Sequence, residues 1–203
     1  MGKQTIIAIS REYGSGGHDI AQCISEKFEM PLYDRSLLRE IAQEIDMDPE
    51  QLQMFDEKPR NFMLTRTVGK YTNSMEDILS QMQFDFIREK AESGESFVIV
   101  GRCAESVLRG YEGVISIFIT GDKDYKVKRI MEERNLEEQK AYDRMLQIDK
   151  KRRQYHNRYS GHKWGDSRYY DMCINGSDLG VEGTAEVLEQ YISARIRKIE
   201  ETR

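Results

Sequence analysis

Residues Ile6 to Phe28 read I-I-A-I-S-R-E-Y-G-S-G-G-H-D-I-A-Q-C-I-S-E-K-F, beginning with the apolar run Ile6, Ile7, Ala8 and Ile9. A continuous apolar run of this kind predicts a strand buried on both faces, as in a parallel sheet. A glycine-rich turn follows at once, where Gly14, Gly16 and Gly17 admit backbone angles closed to other residues and let a ligand come close to the chain. Ile20, Ala21, Ile24 and Phe28 then recur at helical spacing. The amides of the loop therefore point outward at the positive end of a helix dipole, which makes a ready anion site.

Strand, glycine loop and helix is the P-loop layout, yet the standard pattern G-x-x-x-x-G-K-[ST] is not met. Aligned on Gly16, Arg11 stands where the first glycine belongs and Gly17 where the phosphate-binding lysine belongs, with His18 and Asp19 next. Taken alone, the stretch reads either as a phosphate-binding loop or as a plain strand-to-helix turn in which Asp19 favours the helix N-terminus.

A chain of 203 residues is long enough for one well-cored domain, 1–203, with a mobile insertion. Charged residues make up 33% of it and the net charge is −5, which disfavours general nucleic-acid binding. Cys23, Cys103 and Cys173 are odd in number and lack metal-ligand spacing, so they read as reduced thiols in a cytoplasmic protein. Two of them adjoin apolar runs, which predicts core positions for that pair. No stretch has the length of a signal-peptide core or a membrane span, so no membrane partner is expected.

Further along, Met30 to Tyr33 reads as a short second strand ending in Asp34-Arg35, and Ser36 is placed to cap a helix carrying Leu37, Leu38, Ile41 and Ile45. From Asp46 to Asn73 the pattern weakens into short helices and loops, after which Met75, Ile78, Leu79, Met82 and Phe86 restore a helical stripe. Phe97–Val100 and Val114–Ile119 read as doubly buried strands and as parallel neighbours, with Met172–Ile174 as a last short strand and Val187, Leu188, Tyr191, Ile192 and Ile196 on a closing helix. Five short strands alternating with helices predict a three-layer α/β/α sandwich on a five-stranded parallel sheet. Arg11, Asp34, Arg102, Asp122 and Asn175 all follow strands, and would gather along the carboxyl edge of the sheet, where such folds bind ligands.

Arg144 to Lys163 holds seven Lys and Arg residues against the single acid Asp149, inside an acidic chain. One reading is a lid, residues 138–166, a helix pair that closes over phosphates and brings Arg152, Arg153 and Arg158 to the charge of a transferring phosphoryl group. A second is a solvated helical face. A third is a nucleic-acid patch with Tyr155, His156, Tyr159 and Trp164 as stacking partners. Gly161 to Asp166 reads as the hinge by which the segment returns to the body.

The series I-A-I-S-R-E-Y-G-S-G-G-H-D-I-A, P-L-Y-D-R, F-V-I-V-G-R-C-A, the Arg-rich segment and Y-D-M-C-I-N-G-S resembles the cytidylate kinase-like proteins, a branch of the nucleoside monophosphate kinases among the P-loop kinases, over nearly the whole chain. The resemblance implies a P-loop kinase-like fold, ATP with Mg²⁺ as phosphoryl donor, a nucleoside monophosphate as acceptor, an acceptor-binding region over 34–92 and a mobile lid. By the same resemblance Gly14, Ser15, Gly16, Gly17 and His18 supply amides around the donor phosphates. Asp34 and Arg35 begin the acceptor region, Arg102 holds the acceptor phosphate, and Arg152, Arg153 and Arg158 are lid candidates.

Three positions depart from the family pattern. Gly17 removes the lysine, Asp19 replaces a hydroxyl, and Cys103 stands where cytidylate kinases carry an acid. From its position Arg11 is expected to replace the missing positive charge and Asp19 to hold the metal. Two functions follow: phosphoryl transfer from ATP to CMP or a similar phosphorylated acceptor, or a regulatory module that binds nucleotide or phosphate without turnover.

Overall fold

The computed structural model describes residues 3–34, 37, 41 and 76–201, and residues 67–68, 71–72 and 75 as backbone only. Five strands, β1 (Ile6–Arg11), β2 (Leu32–Tyr33), β5 (Phe97–Val100), β6 (Val114–Thr120) and β7 (Met172–Asn175), form one sheet in the order β2-β5-β1-β6-β7. Every pairing in it is parallel. A separate antiparallel pair, β3 (Thr67–Val68) with β4 (Tyr71–Thr72), lies in the stretch whose sequence pattern is weak. The helices are α1 (Gly17–Lys27), α2 (Met75–Glu92), α3 (Ala104–Val107), α4 (Lys123–Arg134), α5 (Glu138–Ser160) and α6 (Gly180–Glu201).

The apolar run of β1 explains its central place. Ile6 and Ala8 face one helical layer, with Leu79, Phe86, Ile87 and Leu108. Ile7 and Ile9 face the other, with Ile20, Ile24, Leu188 and Ile192. Ile20 and Ile24 are at most 1% exposed, and each such burial stabilises the fold by about 1.5–3 kcal/mol. The two layers with the sheet between them are the predicted three-layer sandwich.

Some sequence expectations are corrected. The strands at 97–100 and 114–120 are parallel but not adjacent, because β1 lies between them and pairs with both. A strand apolar on both faces is most stabilised at the sheet centre, and the connection through α3 crosses over it. The last strand, β7, is an edge strand whose alternate residues face out, so Cys173 is exposed; Cys103 is buried and Cys23 half-buried. On α2, Ile78 is exposed while Phe84 and Ile87 join the buried face. The helix assigned to Ser36 and its partners lies largely outside the described residues, as does Arg35.

The order of strands puts a switch point at β1: the chain runs out to β2, returns to β5, then crosses to β6 and β7. Ligands in open α/β sheets bind at the carboxyl ends of strands beside such a point. The glycine loop follows β1 there.

Candidate active site

Arg11 closes β1, and its side chain folds back across the start of α1. A Cβ placed on Gly17 would lie 2.5 Å from the Arg11 Cβ and 2.8 Å from its Cγ. The guanidinium continues to the end of β5, where a Cβ on Gly101 would lie 2.5 Å from Arg11 Nη1. Both positions must be glycine for Arg11 to take this path, and Gly101 also has φ +84°. Gly101 is followed by Arg102 and Cys103 at φ 55° and 53°, left-handed values that non-glycine residues seldom adopt. Such strained turns concentrate at ligand sites. Arg11 thus spans from the glycine loop to the turn that carries Arg102.

The loop is held from below and from the side. The Glu12 carboxylate accepts from Lys126 Nζ at 2.7 Å, Thr120 Oγ1 at 2.6 Å and the Gly121 amide at 3.3 Å. Burial alone would raise its pKa, but these donors, Lys126 foremost, bring it below the usual carboxylate range. The Ser15 hydroxyl donates to Glu12 O at 2.9 Å and is buried. In α1 the first-turn amides of Gly17, His18 and Asp19 have no intrahelical acceptor, so they are available to an anion.

Helix α5 rests against the loop. The Tyr13 amide donates to Asp149 Oδ1 at 2.8 Å, Arg152 Nη1 donates to Arg11 O at 3.0 Å, and Arg144 Nε donates to the Tyr13 hydroxyl at 3.3 Å. The Arg152 guanidinium lies over the Tyr13 ring, 5.6 Å from its centroid. Burial raises the Asp149 pKa; the Tyr13 amide and Arg152 offset only part of it.

The basic segment is a single helix followed by a return loop, and its arginines have different surroundings. Arg152 is at the glycine loop. Arg153 lies over Trp164, with 6.0 Å between its Cζ and the ring centroid, and Arg158 pairs with Asp77 of α2 at 2.6 and 2.8 Å. Trp164 packs edge-on against Phe118. His156 is buried and Tyr159 packs on Phe84, so the rings proposed as base-stacking partners are used within the fold.

Asp19, expected to hold a metal, forms an ion pair with Arg129 at 2.7 Å, and Asp34 lies 3.6 Å from His18 Nδ1. The structure therefore brings together Arg11, the loop residues Gly14 to His18, the Gly101–Cys103 turn and Arg152. Arg153 and Arg158 lie along α5 away from this group. Sequence reasoning missed Lys126 and Arg129, whose partners Glu12 and Asp19 are more than a hundred residues distant. Only the acidic residues within the loop signalled that such cations were needed.

Comparisons with known proteins agree with this architecture. The model of the cytidylate kinase-like family matches residues 6–178. Among solved structures, an uncharacterized protein from Eubacterium ventriosum ATCC 27560 is 41% identical, with 94% of this chain and 99% of that one covered and a TM-score of 0.74. Shikimate kinase from Bacteroides thetaiotaomicron shares the fold at 14% identity, with 93% and 98% covered and a TM-score of 0.56. Shikimate kinase from Acinetobacter baumannii, solved with shikimate, matches at 10% identity, with 95% and 94% covered and a TM-score of 0.51. Comparison with curated proteins gave no match. Family and fold together support phosphoryl transfer as the general chemistry, and the chain belongs to the cytidylate kinase-like family.

Proposed function

We propose that this protein transfers the γ-phosphoryl group of ATP to a nucleoside monophosphate or similar phosphorylated acceptor, with CMP the first candidate. The observation that carries this reading is the course of Arg11 across Gly17 to Gly101. A lysine at position 17 would place its charge over the loop from the helix side; here Arg11 brings a guanidinium over the same loop from the strand side. Arg is always ionised and offers several donors in a fixed fork, which suits phosphate oxygens.

ATP with Mg²⁺ supplies the transferable phosphoryl group and neutralises part of its charge. The donor phosphates fit against the amides of Gly14, Ser15, Gly16, Gly17 and His18. Arg11 places positive charge between donor and acceptor sides. Arg152 fixes the Arg11 carbonyl and closes the loop from α5, the helix of the lid segment 138–166. Arg102, on its strained turn, is assigned to the acceptor phosphate, and Asp34 with Arg35 to the acceptor region. Arg153 and Arg158 belong to the lid but act at its base, where they dock α5 on Trp164 and Asp77. A metal role for Asp19 requires that its pair with Arg129 open. Phosphoryl transfer depends chiefly on positioning and charge stabilisation, so these groups are sufficient in kind. No described helix is long and apolar enough to cross a membrane, and the free cysteines accord with a cytoplasmic setting.

The pairing of Asp19 with Arg129 and the absent lysine favour a second reading, a regulatory module that binds nucleotide without turning it over. The two are separated by ATP consumption across a panel of nucleoside monophosphates with Mg²⁺, with ATP and ADP binding followed on the same preparation. Turnover with one acceptor supports the kinase; binding without turnover across the panel supports the module.

A further inference from the structure

A second polar cluster is buried where α5 returns to the body. Glu105 on α3, His156 near the end of α5 and His162 in the return loop are 7%, 3% and 9% exposed. One donor atom from each lies within 4.8 Å of the other two. His156 Nε2 is 2.7 Å from Glu105 Oε1, while its Nδ1 is 3.1 Å from the Ser160 hydroxyl, which fixes the ring plane. His162 is stacked on Tyr169 with centroids 3.9 Å apart and meets His156 edge-on at 4.9 Å. Its Nε2 is 2.7 Å from the Ser106 hydroxyl, which donates to the same Glu105 Oε1 at 3.0 Å. The Tyr170 hydroxyl lies 3.4 Å from His156 Nε2. His162 Nδ1 is buried, with the Lys163 backbone beside it but no well-formed hydrogen bond among the described residues. Burying an unpaired polar atom is costly, so a ring held this firmly in such a place calls for a ligand or a role.

We propose that Glu105, His156 and His162 bind one divalent transition-metal ion of the zinc type. Two imidazole nitrogens and one carboxylate form a donor set that suits Zn²⁺, whereas Mg²⁺ and Ca²⁺ favour all-oxygen surroundings. The site is therefore chemically distinct from any Mg²⁺ that accompanies a nucleotide. The Ser160 hydroxyl at His156 Nδ1 is the kind of outer contact that orients a ligating imidazole. Zinc bonds of about 2.0–2.1 Å place tetrahedral ligands about 3.3 Å apart, so the three donors draw together on binding. The ion takes the lone pair of His156 Nε2, so the bound imidazole carries its one hydrogen on Nδ1, toward the Ser160 hydroxyl. The bound ion would tie α5 and its return loop to α3, and through α3 to the turn carrying Arg102. It would stabilise the folded chain in proportion to its binding.

The test uses the whole chain, stripped with chelator and dialysed, and titrated calorimetrically with Zn²⁺ alone. One ion per chain and a loss of affinity of at least about tenfold in His162→Gln and in Glu105→Gln are expected. Co²⁺ in place of Zn²⁺ should give visible bands of a four-coordinate nitrogen and oxygen site, without a thiolate charge-transfer band. Circular dichroism shows whether each variant is folded, and His162→Gln decides if Glu105→Gln is not. Undiminished affinity in a folded His162→Gln chain, a thiolate band, or no saturable binding by the unaltered protein would overturn the proposal.

Discussion

Arg11 and Gly17 share one space: a Cβ at position 17 would sit 2.5 Å from the Cβ of Arg11. The two departures from the standard loop are therefore a single exchange. An arginine at the first-glycine position excludes a side chain at the lysine position, and the bare backbone of Gly17 admits the arginine. A lysine restored at Gly17 alone collides with Arg11, so Gly17→Lys should lower both stability and activity. Overpacking of this kind costs about 1–3 kcal/mol. The double variant Arg11→Gly, Gly17→Lys relieves the collision and should recover stability relative to Gly17→Lys in thermal unfolding, together with a measurable part of the activity.

The arginines of α5 are expected to separate in kinetics. Arg152 contacts the carbonyl of Arg11, so Arg152→Ala should misplace the loop and lower kcat about a hundredfold. Arg158 docks α5 on Asp77 from a partly exposed position, so Arg158→Ala should cost about 1 kcal/mol of stability or less. Its kcat should stay within about threefold of the unaltered protein, less than the change from one lost transition-state contact. Steady-state kinetics and denaturant unfolding of the two variants check the pair.

Asp171 gives an acid-range prediction. Its carboxylate accepts from the Ser116 amide at 2.8 Å and the Ser116 hydroxyl at 2.9 Å, and pairs with Arg195 at 2.9 Å. Burial pushes its pKa up, but the Ser116 amide and Arg195 outweigh it and leave the carboxyl below its ordinary value. A depressed folded-state pKa contributes stability that is present above the unfolded value, near 3.9, and is lost as pH falls through the folded value. Asp171→Asn should therefore flatten the loss of stability below about pH 4. At neutral pH it should cost about 1 kcal/mol, since the pair is about a third exposed and screened by solvent.

Thiol labelling should follow burial. Cys173 is exposed on the edge strand, whereas Cys103 is buried and its thiol is pushed well up by loss of solvent and by Glu105. A thiol reagent should modify Cys173 in the native protein and reach Cys103 only on unfolding. Mass spectrometry of the native and denatured samples reads the order.

Much of this molecule is written locally in the chain. The strands β1 and β5 hold continuous apolar runs and β6 one broken only by Ser116, and the glycine loop announces itself by composition. Their spatial order is not local: nothing in Phe97–Val100 or Val114–Thr120 says that β1 will lie between them. The site divides in the same way. Arg11 and Gly17 are readable as departures from a pattern, but their contact depends on how the strand enters the helix. Glu12 with Lys126 and Glu105 with His156 are pairs distant in sequence, formed only when α4 packs on the loop and α5 on α3. His156 reads from sequence as one of the candidate stacking rings because its contact with Glu105 of α3 cannot be disclosed by the helix pattern of α5.

The most direct measurement is Mg²⁺-dependent ATP turnover across nucleoside monophosphates by the unaltered protein and by Arg11→Ala, with ATP binding measured on both. If Arg11 supplies the charge that lysine gives elsewhere, one acceptor supports turnover, and Arg11→Ala lowers kcat by about 10²–10³-fold while the chain stays folded. Turnover by Arg11→Ala equal to that of the unaltered protein would contradict the assignment to Arg11, and ATP binding without turnover on any acceptor would contradict the kinase itself.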